Sequence, residues 1–356
     1  MQIGNILLTS FTEPLLLILR IIILTLLVTG CAALQRPQPP EVPAPPPEVR
    51  VEPQLRKMFP DFAAVIAQPG DTLSSLAREY LRDPSMDWFI AEFNGITTVS
   101  PGQPLIIPFS PFAKGGLTLK GYQTVPVLSY HRFSKDRTDL TTVTEKAFEE
   151  QMRFLKEHGY HVITMDELFD FLDFKKQIPN KSVVITIDDG WRSVYDIAFP
   201  ILKKYGYPAT LFVYTDFIFQ SSKTTLDWDL LREMARNGIS VQCHTKTHRY
   251  LDRRVGRETF REYFEAVKKE LVESTRLIKQ RLNSDVKYLA YPYGETNHLV
   301  ILLLMKLGYR GALTVERGSS PFFTPPYRVN RSMIYGTFNL KEFENNLNTF
   351  SDKALR

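Results

Sequence analysis

From residue 122 onward the sequence predicts an α/β fold with a mostly parallel sheet, open or closed into a barrel. A small βααβ module precedes it. Two observations predict this. Short aliphatic and β-branched runs alternate with amphipathic helical patterns, as in parallel strands joined by helices. Polar residues able to do chemistry then fall at the C-terminal ends of those runs, which share one face of a β/α barrel.

The predicted strands are Val125–Tyr130, Ser182–Ile187, Ala209–Tyr214, Ile239–Cys243, Tyr288–Tyr291 and Arg310–Val315. Helical patterns lie near 144–158, 192–205, 227–237, 257–282 and 297–307. In the fourth helix Phe260, Phe264, Val267, Leu271, Ile278 and Leu282 define one apolar face. Lys268, Lys269, Glu270, Glu273, Arg276 and Arg281 are expected on its solvated face. Leu299–Met305 is apolar all round but too short to span a bilayer.

The smaller module covers residues 61–110. Ala64–Ala67 reads as a strand, followed by the turn Pro69-Gly70-Asp71-Thr72. Thr72 is a candidate N-cap for a helix carrying Leu73, Leu76, Ala77 and Tyr80, and a second helix covers Met86 to Phe93. Pro101-Gly102-Gln103 turns into the strand Leu105–Pro108. The Gly70–Leu73 turn, Phe93-Asn94 and the Pro101–Pro108 run resemble a LysM module. That resemblance implies binding of N-acetylglucosamine-containing glycan at the strand–helix loops, with Gly70, Asp71, Thr72 and Asn94 as candidate contact residues.

Ahead of the module the chain carries no fold signal. Residues 1–30 read as a targeting segment in which Arg20 precedes the short apolar run Ile21–Val28. Val28-Thr29-Gly30-Cys31 resembles the lipobox of bacterial lipoproteins and implies acylation of Cys31, with the chain held at the membrane by that lipid. The expected location is the cell envelope, facing the periplasm or exterior. In a host with two membranes it is the outer one, because Ala32 is not the aspartate associated with inner-membrane retention. Residues 31–60 are a Pro-rich linker, whose Pro37–Pro53 stretch suits a semi-rigid spacer.

Composition excludes other classes. A net charge of +5 without a basic stripe does not suit a nucleic-acid partner, and two cysteines cannot build a disulfide framework.

Asp188 and Asp189 follow Val183–Ile187 directly, and neighbouring strand side chains point in opposite directions. Two such carboxylates divide labour more readily than they chelate one ion together, one binding metal and the other free as a base. Gly190 then permits a sharp turn. His244 and His248, four apart after the Ile239–Cys243 strand, can converge on one ion in a tight loop. Two histidines and one aspartate leave an open coordination position, the arrangement of a catalytic zinc site.

Thr186-Ile187-Asp188-Asp189-Gly190 and His244–His248 resemble the Asp-Asp and His-x3-His motifs of polysaccharide deacetylases of carbohydrate esterase family four. Tyr291-Pro292-Tyr293-Gly294 resembles the end of that family's Arg-x-Pro-Tyr motif. The likeness covers roughly 122–335, within a domain set at 122–350, and implies a distorted (β/α) barrel with fewer than eight repeats. It implies Asp188 as general base, and Asp189, His244 and His248 as ligands of a divalent metal. Zn²⁺ is the first choice, with Co²⁺, Ni²⁺ and Fe²⁺ compatible with the same donors. Pro292 and the Tyr293 backbone N–H fall at the substrate groove and oxyanion position. Trp228 resembles an aromatic lining that groove, with helix-start packing as its plainer role.

Two departures from the motif matter. Ala290 stands where the family carries the arginine that orients the base, and Arg331 is the candidate replacement, against the plainer reading of a structural arginine. No Leu-x-His follows the last strand. His131 resembles instead the early histidine of poly-N-acetylglucosamine deacetylases, whose motifs occur in permuted order, and is the candidate acid. The implied reaction frees an amine and acetate from N-acetylglucosamine units of peptidoglycan or poly-N-acetylglucosamine. The rival reading is a non-catalytic peptidoglycan-binding lipoprotein with a degenerate barrel. A glycoside hydrolase fits less well, because no carboxylate pair stands apart from the metal set.

Overall fold

The structure is a computed structural model that describes residues 56–109, 116–118, 120–219 and 222–353. The targeting segment, Cys31 and almost all of the Pro-rich linker lie outside these residues.

In the small module three antiparallel strands, β1 (Arg56–Met58), β2 (Phe62–Ile66) and β3 (Pro104–Pro108), pair in the order β1-β2-β3. β1 extends the expected βααβ unit backwards into the stretch assigned to the linker. Helix α1 (Leu73–Leu76) starts at Thr72, whose side chain accepts from the Ser75 N–H while Ser75 returns the bond, and α2 spans Asp87–Asn94. Together they cover a core of Ala63, Val65, Leu76, Ile90, Leu105 and Ile107.

The larger domain is a curled sheet. Its parallel strands are β4 (Gly121–Tyr130), β5 (Ser182–Asp189), β6 (Ala209–Val213), β7 (Ile239–Cys243), β8 (Tyr288–Ala290) and β9 (Gly311–Leu313). They lie side by side in chain order. Beyond β9 the chain returns to the first strand. Val329 bridges Leu313 in parallel, and Ser332 and Met333 pair in parallel with Leu128 and Ser129 of β4. The segment 329–333 therefore touches both the last strand and the first, which puts Arg331 inside the ring.

Helices α3 (Glu145–Glu157), α4 (Met165–Leu172), α5 (Phe199–Tyr205), α6 (Trp228–Arg236), α7 (Phe260–Leu282) and α8 (His298–Lys306) are the longer helices of the domain. Alternation along the strands separates two apolar clusters. Leu128, Tyr130, Val183, Ile185 and Ile187 face the cluster built with α3, α5, α6 and α7. Val125, Val127, Val184, Phe212 and Leu313 face a second cluster that α4 fills with Met165, Leu168, Phe169 and Leu172. Gly311 is needed for this fit, since a Cβ there would stand 2.0 Å from the Phe169 ring.

α7 keeps Phe264, Val267, Leu271, Ile278 and Leu282 of its expected face on the core, and departs from it at its first residue and at Glu270. Phe260 is 66% exposed, while Tyr263, Val267, Glu270, Leu271, Ser274 and Ile278 are buried. Glu270 is thus not on the solvated side where composition put it. In α8, Leu302 and Met305 are exposed, and no helix among the described residues is long and apolar enough to cross a membrane.

Candidate active site

The C-terminal strand ends do converge. β5 delivers Asp188 and Asp189, the turn after β7 carries His244 and His248, and His131 directly follows β4. Asp189, His244 and His248 form one cluster of potential metal ligands. His244 Nε2 and His248 Nε2 are 3.1 Å apart, and each lies 3.7 Å from Asp189 Oδ1. Donors at tetrahedral angles, 2.0–2.1 Å from one ion, would be separated by about 3.3 Å. The triangle therefore fits a single divalent ion.

Its surroundings prepare the donors for that task. His244 Nδ1 lies 2.7 Å from the Ala290 carbonyl oxygen; donation there fixes the tautomer and leaves Nε2 with its lone pair. Burial, then the neighbouring His244, pushes the His248 pKa down to about 4, so its ring is neutral at pH 7. The Trp191 indole N–H donates to Asp189 Oδ2 at 2.9 Å, leaving Oδ1 toward the histidines. The backbone is held in uncommon conformations at the same place. Asp189, Thr245, His248 and Tyr293 have φ of 78°, 73°, 65° and 61°. Left-handed non-glycine residues cluster where surrounding structure over-determines them, as at functional sites. Gly190 has φ +107°, and a Cβ there would meet Ile218 Cδ1 at 2.7 Å, so a side chain is excluded.

The histidine loop is tied down by Glu270. This buried carboxylate accepts from the Lys246 and Thr247 N–H groups at 2.9 and 2.8 Å, and from the Thr247 hydroxyl at 2.8 Å. One signal in the sequence could have found it, because Glu270 lies three residues after Val267 and four before Ser274 on the inward stripe. Glu270→Ala is expected to cost roughly 1.5–3 kcal/mol of stability through lost charged hydrogen bonds. It should also weaken metal binding about 10–100-fold, as loss of an outer-shell partner typically does. Calorimetric metal titration checks this; unchanged affinity would show that the loop holds its shape without Glu270.

Asp188 stands apart from the triangle and is paired instead with Arg331. Arg331 Nη1 donates to Asp188 Oδ1 at 2.8 Å, with side-chain exposures of 0% and 2%. The same guanidinium donates to the Thr314 carbonyl oxygen at 2.9 Å and the Thr186 hydroxyl at 3.3 Å. Burial would raise the Asp188 pKa, but Arg331, then His244 and His131, hold it down to about 2. Ala290, at the position of the motif arginine, offers only its carbonyl to His244. The guanidinium comes instead from segment 329–333.

His131 is close enough to feel Asp188 and Asp189. Burial lowers its pKa, and the two carboxylates oppose that shift. Pro292 is buried in a short turn, and Tyr293 is 49% exposed, stacked on Tyr250 at 4.0 Å and edge-on to His248 at 4.8 Å. Trp228 is not a groove residue. It is the first residue of α6, 9% exposed, packed in the core with the Arg281 guanidinium 6.0 Å from its ring. Trp191, Tyr214 and Tyr250 are the aromatic neighbours that sequence reasoning missed; Tyr214 lies 5.2 Å from His248. Trp191 follows Gly190 directly, which was the available signal.

In the small module the candidate glycan contacts serve the fold. Asp71 accepts from the Gln68 N–H at 2.7 Å, Thr72 caps α1, and Gly70 takes φ +92°. Asn94 exchanges two hydrogen bonds with the backbone of Ile106, at 2.8 and 2.9 Å. An open depression lies beside them, lined by Gly95–Thr98 and Ser100–Gln103.

A barrel with an Asp-His-His donor triangle and a separate buried carboxylate at one rim has the parts that metal-assisted hydrolysis needs. Comparison with known proteins narrows this. The polysaccharide deacetylase family model matches residues 175–312, and the LysM domain model matches 65–108. YxkH of Bacillus subtilis (strain 168) is 30% identical over 210 residues, covering 59% of this chain and 71% of YxkH. The poly-β-1,6-N-acetyl-D-glucosamine N-deacetylase of Staphylococcus aureus (strain MRSA252) is 29% identical over 199 residues, 54% of this chain and 68% of that one. The enzyme of that name from Escherichia coli (strain K12) is 26% identical, and the match spans only 39% of it. Among solved structures, the Streptococcus pyogenes deacetylase PplD in complex with acetate superposes with a TM-score of 0.57 at 25% identity. That match covers 63% of this chain and 98% of PplD. The chain belongs to the polysaccharide deacetylase family, whose deacetylases are metal-dependent, and it carries a LysM domain as well.

Proposed function

We propose that this protein removes N-acetyl groups from N-acetylglucosamine units of an envelope polysaccharide, releasing acetate and leaving a free amine on the sugar. The observation that carries the reading is the pairing of a donor triangle fit for one ion with a separate, buried and ionised Asp188. Zn²⁺ suits the donors first, and Co²⁺, Ni²⁺ or Fe²⁺ suit them as well. A LysM domain and relatives named for poly-N-acetylglucosamine support the sugar. Ala290 was the departure that favoured a non-catalytic tether, and Arg331 offsets it by supplying the guanidinium from elsewhere.

A divalent ion bound by Asp189, His244 and His248 would polarise the acetamide carbonyl and ease ionisation of the attacking water. Asp188, kept anionic by Arg331, takes the proton as that water adds to the carbonyl carbon. The Tyr293 N–H is assigned to the carbonyl oxygen as it gains charge. His131 then protonates the amide nitrogen, and the C–N bond breaks. A histidine whose pKa is lowered by burial gives up its proton readily, while the two nearby carboxylates favour its charged form.

His131→Ala is expected to lose on the order of 10²–10⁴-fold on the sugar amide, the usual contribution of a general acid. It should lose far less on an aryl acetate, whose leaving group needs no proton. Equal losses on the two substrates would remove His131 from the acid role.

We also propose that the chain is anchored in the envelope through acylated Cys31, facing the periplasm or exterior. Cys31→Ala should move it from the membrane fraction to the soluble or unprocessed pool. Processed protein that stays with the membrane would count against the lipid.

A further inference from the structure

Next to the metal-ligand cluster lies a cleft of about 640 Å³ that the reaction above does not use. It is built on the continuation of β5. Arg192 donates its N–H to the Thr224 carbonyl at 2.8 Å, Leu226 to that of Gly190 at 2.9 Å, and Phe133 to the Ser193 hydroxyl at 3.0 Å. These bonds join segment 190–193 to its two flanking walls, Arg132–Ser134 and Ser222–Thr225. Trp191 lines the cleft and also donates to Asp189, so one residue bridges the cleft and the donor triangle.

The lining is strongly one-signed: Arg132, Lys135, Arg137, Arg192 and Lys223 against Asp196 alone. Two of the cations are engaged. Arg192 pairs with Asp196 at 3.0 Å, and Arg132 lies 4.0 Å from Asp139 with its guanidinium 5.0 Å over the Trp191 ring. Asp136, the other nearby acid, lies 3.4 Å from the Ser134 hydroxyl. Lys135, Arg137 and Lys223 are exposed and have no ion-pair partner among the described residues. Counting Asp136 and Asp139 with Asp196, the five cations still exceed the carboxylates by two, an excess of positive potential that attracts anions and repels the ammonium that deacetylation creates.

We infer that this basic cleft binds the negative charges of an acidic N-acetylglucosamine polymer, carboxylate or phosphate, beside the sugar being deacetylated. The inference rests on the deacetylase reading and refines its substrate class, away from a neutral homopolymer. A glycan is preferred to an anionic membrane surface because the cleft is concave and shares Trp191 with the site. A basic cleft linked to the donor triangle through Trp191 would hold neighbours of the scissile group along the same chain.

The test compares the metal-loaded full chain with the triple variant Lys135→Glu/Arg137→Glu/Lys223→Glu and with the charge-preserving Lys135→Arg/Arg137→Lys/Lys223→Arg. Acetate release is measured on neutral chitin oligomers, on peptidoglycan strands with free stem-peptide carboxylates, on the same strands after amidation, and on a phosphodiester-bearing N-acetylglucosamine polymer. The charge reversal should raise KM on one or both anionic polymers at least about tenfold, an effect that fades as salt screens it. Whether the carboxylated or the phosphorylated polymer responds identifies the source of the charge. Neutral oligomers and amidated strands should change less than twofold, and the charge-preserving variant should match wild type. Equal effects on neutral and anionic polymers, or none on either, would overturn the inference. So would loss of binding to phosphatidylglycerol vesicles with kinetics on the strands unchanged, which would make the cleft a membrane contact. If wild type released acetate from no substrate, the deacetylase reading itself would fail. Anisotropy of fluorescent anionic strands, which needs no turnover, would then decide the cleft: binding unweakened by the charge reversal rejects it.

Discussion

Asp188→Asn is expected to keep its metal and lose turnover by about 10²–10⁴-fold, the typical contribution of a positioned acid–base group. The carboxylate is not one of the three clustered donors and is instead held by Arg331. The change also leaves Arg331 buried opposite a neutral amide, and breaking a buried ion pair costs about 3–5 kcal/mol. Low activity could then reflect poor folding, so a second variant separates the causes. In Asp188→Asn/Arg331→Met the buried charge is gone and much of the stability should return, while activity should not. Metal content, thermal unfolding and acetate release measured together decide the matter. Recovery of activity in the double variant would contradict Asp188 as base.

His244→Ala, His248→Ala or Asp189→Ala should each lose metal and activity together. Each removes one of three donors lying 3.1 to 3.7 Å apart, and two donors hold a divalent ion poorly. Of these, Asp189→Ala also releases the Trp191 indole, so its effect should reach the neighbouring cleft. His248 is the most separable of the set, since its ring is 23% exposed against 3% for His244. Its loss should cost less stability than that of His244, which is tied to the Ala290 carbonyl. Metal analysis and acetate assays check the set; a variant that lost activity at full metal occupancy would move that residue out of the ligand shell.

Much of this arrangement is legible in the sequence because parallel strand ends must share a face. Once Ser182–Ile187 and Ile239–Cys243 read as strands, Asp188, Asp189 and His244 fell on one face of the sheet. The 3.6-residue period likewise located α3, α6 and α8 to within a residue or two. What stayed open or escaped depends on contacts distant in sequence. Arg331 was named only as a candidate beside the plainer reading of a structural arginine, because its segment has almost no strand of its own and only the pairing of Val329 with Leu313 and Ser332 with Leu128 turns it inward. Glu270 was hidden by charged neighbours on the same helix. Helix α4 was missed although Thr164 and Glu167 form a capping box at its start. Trp228 was assigned to the groove only by resemblance; the plainer alternative, packing at a helix start, is the one seen, with Asp227 capping α6 at the Asp229 and Leu230 N–H groups.

Metal-dependent amide hydrolysis on N-acetylglucosamine is the activity that this site is built to perform if Asp188 and the donor triangle act as proposed. Its most direct test is acetate released from N-acetylglucosamine polymers by the protein before chelation, after chelation, and after Zn²⁺ is restored. Stoichiometric acetate and free amine that vanish with the chelator and return with the ion are the predicted result. Acetate release that survives complete metal removal, or new reducing ends in place of acetate, would contradict it.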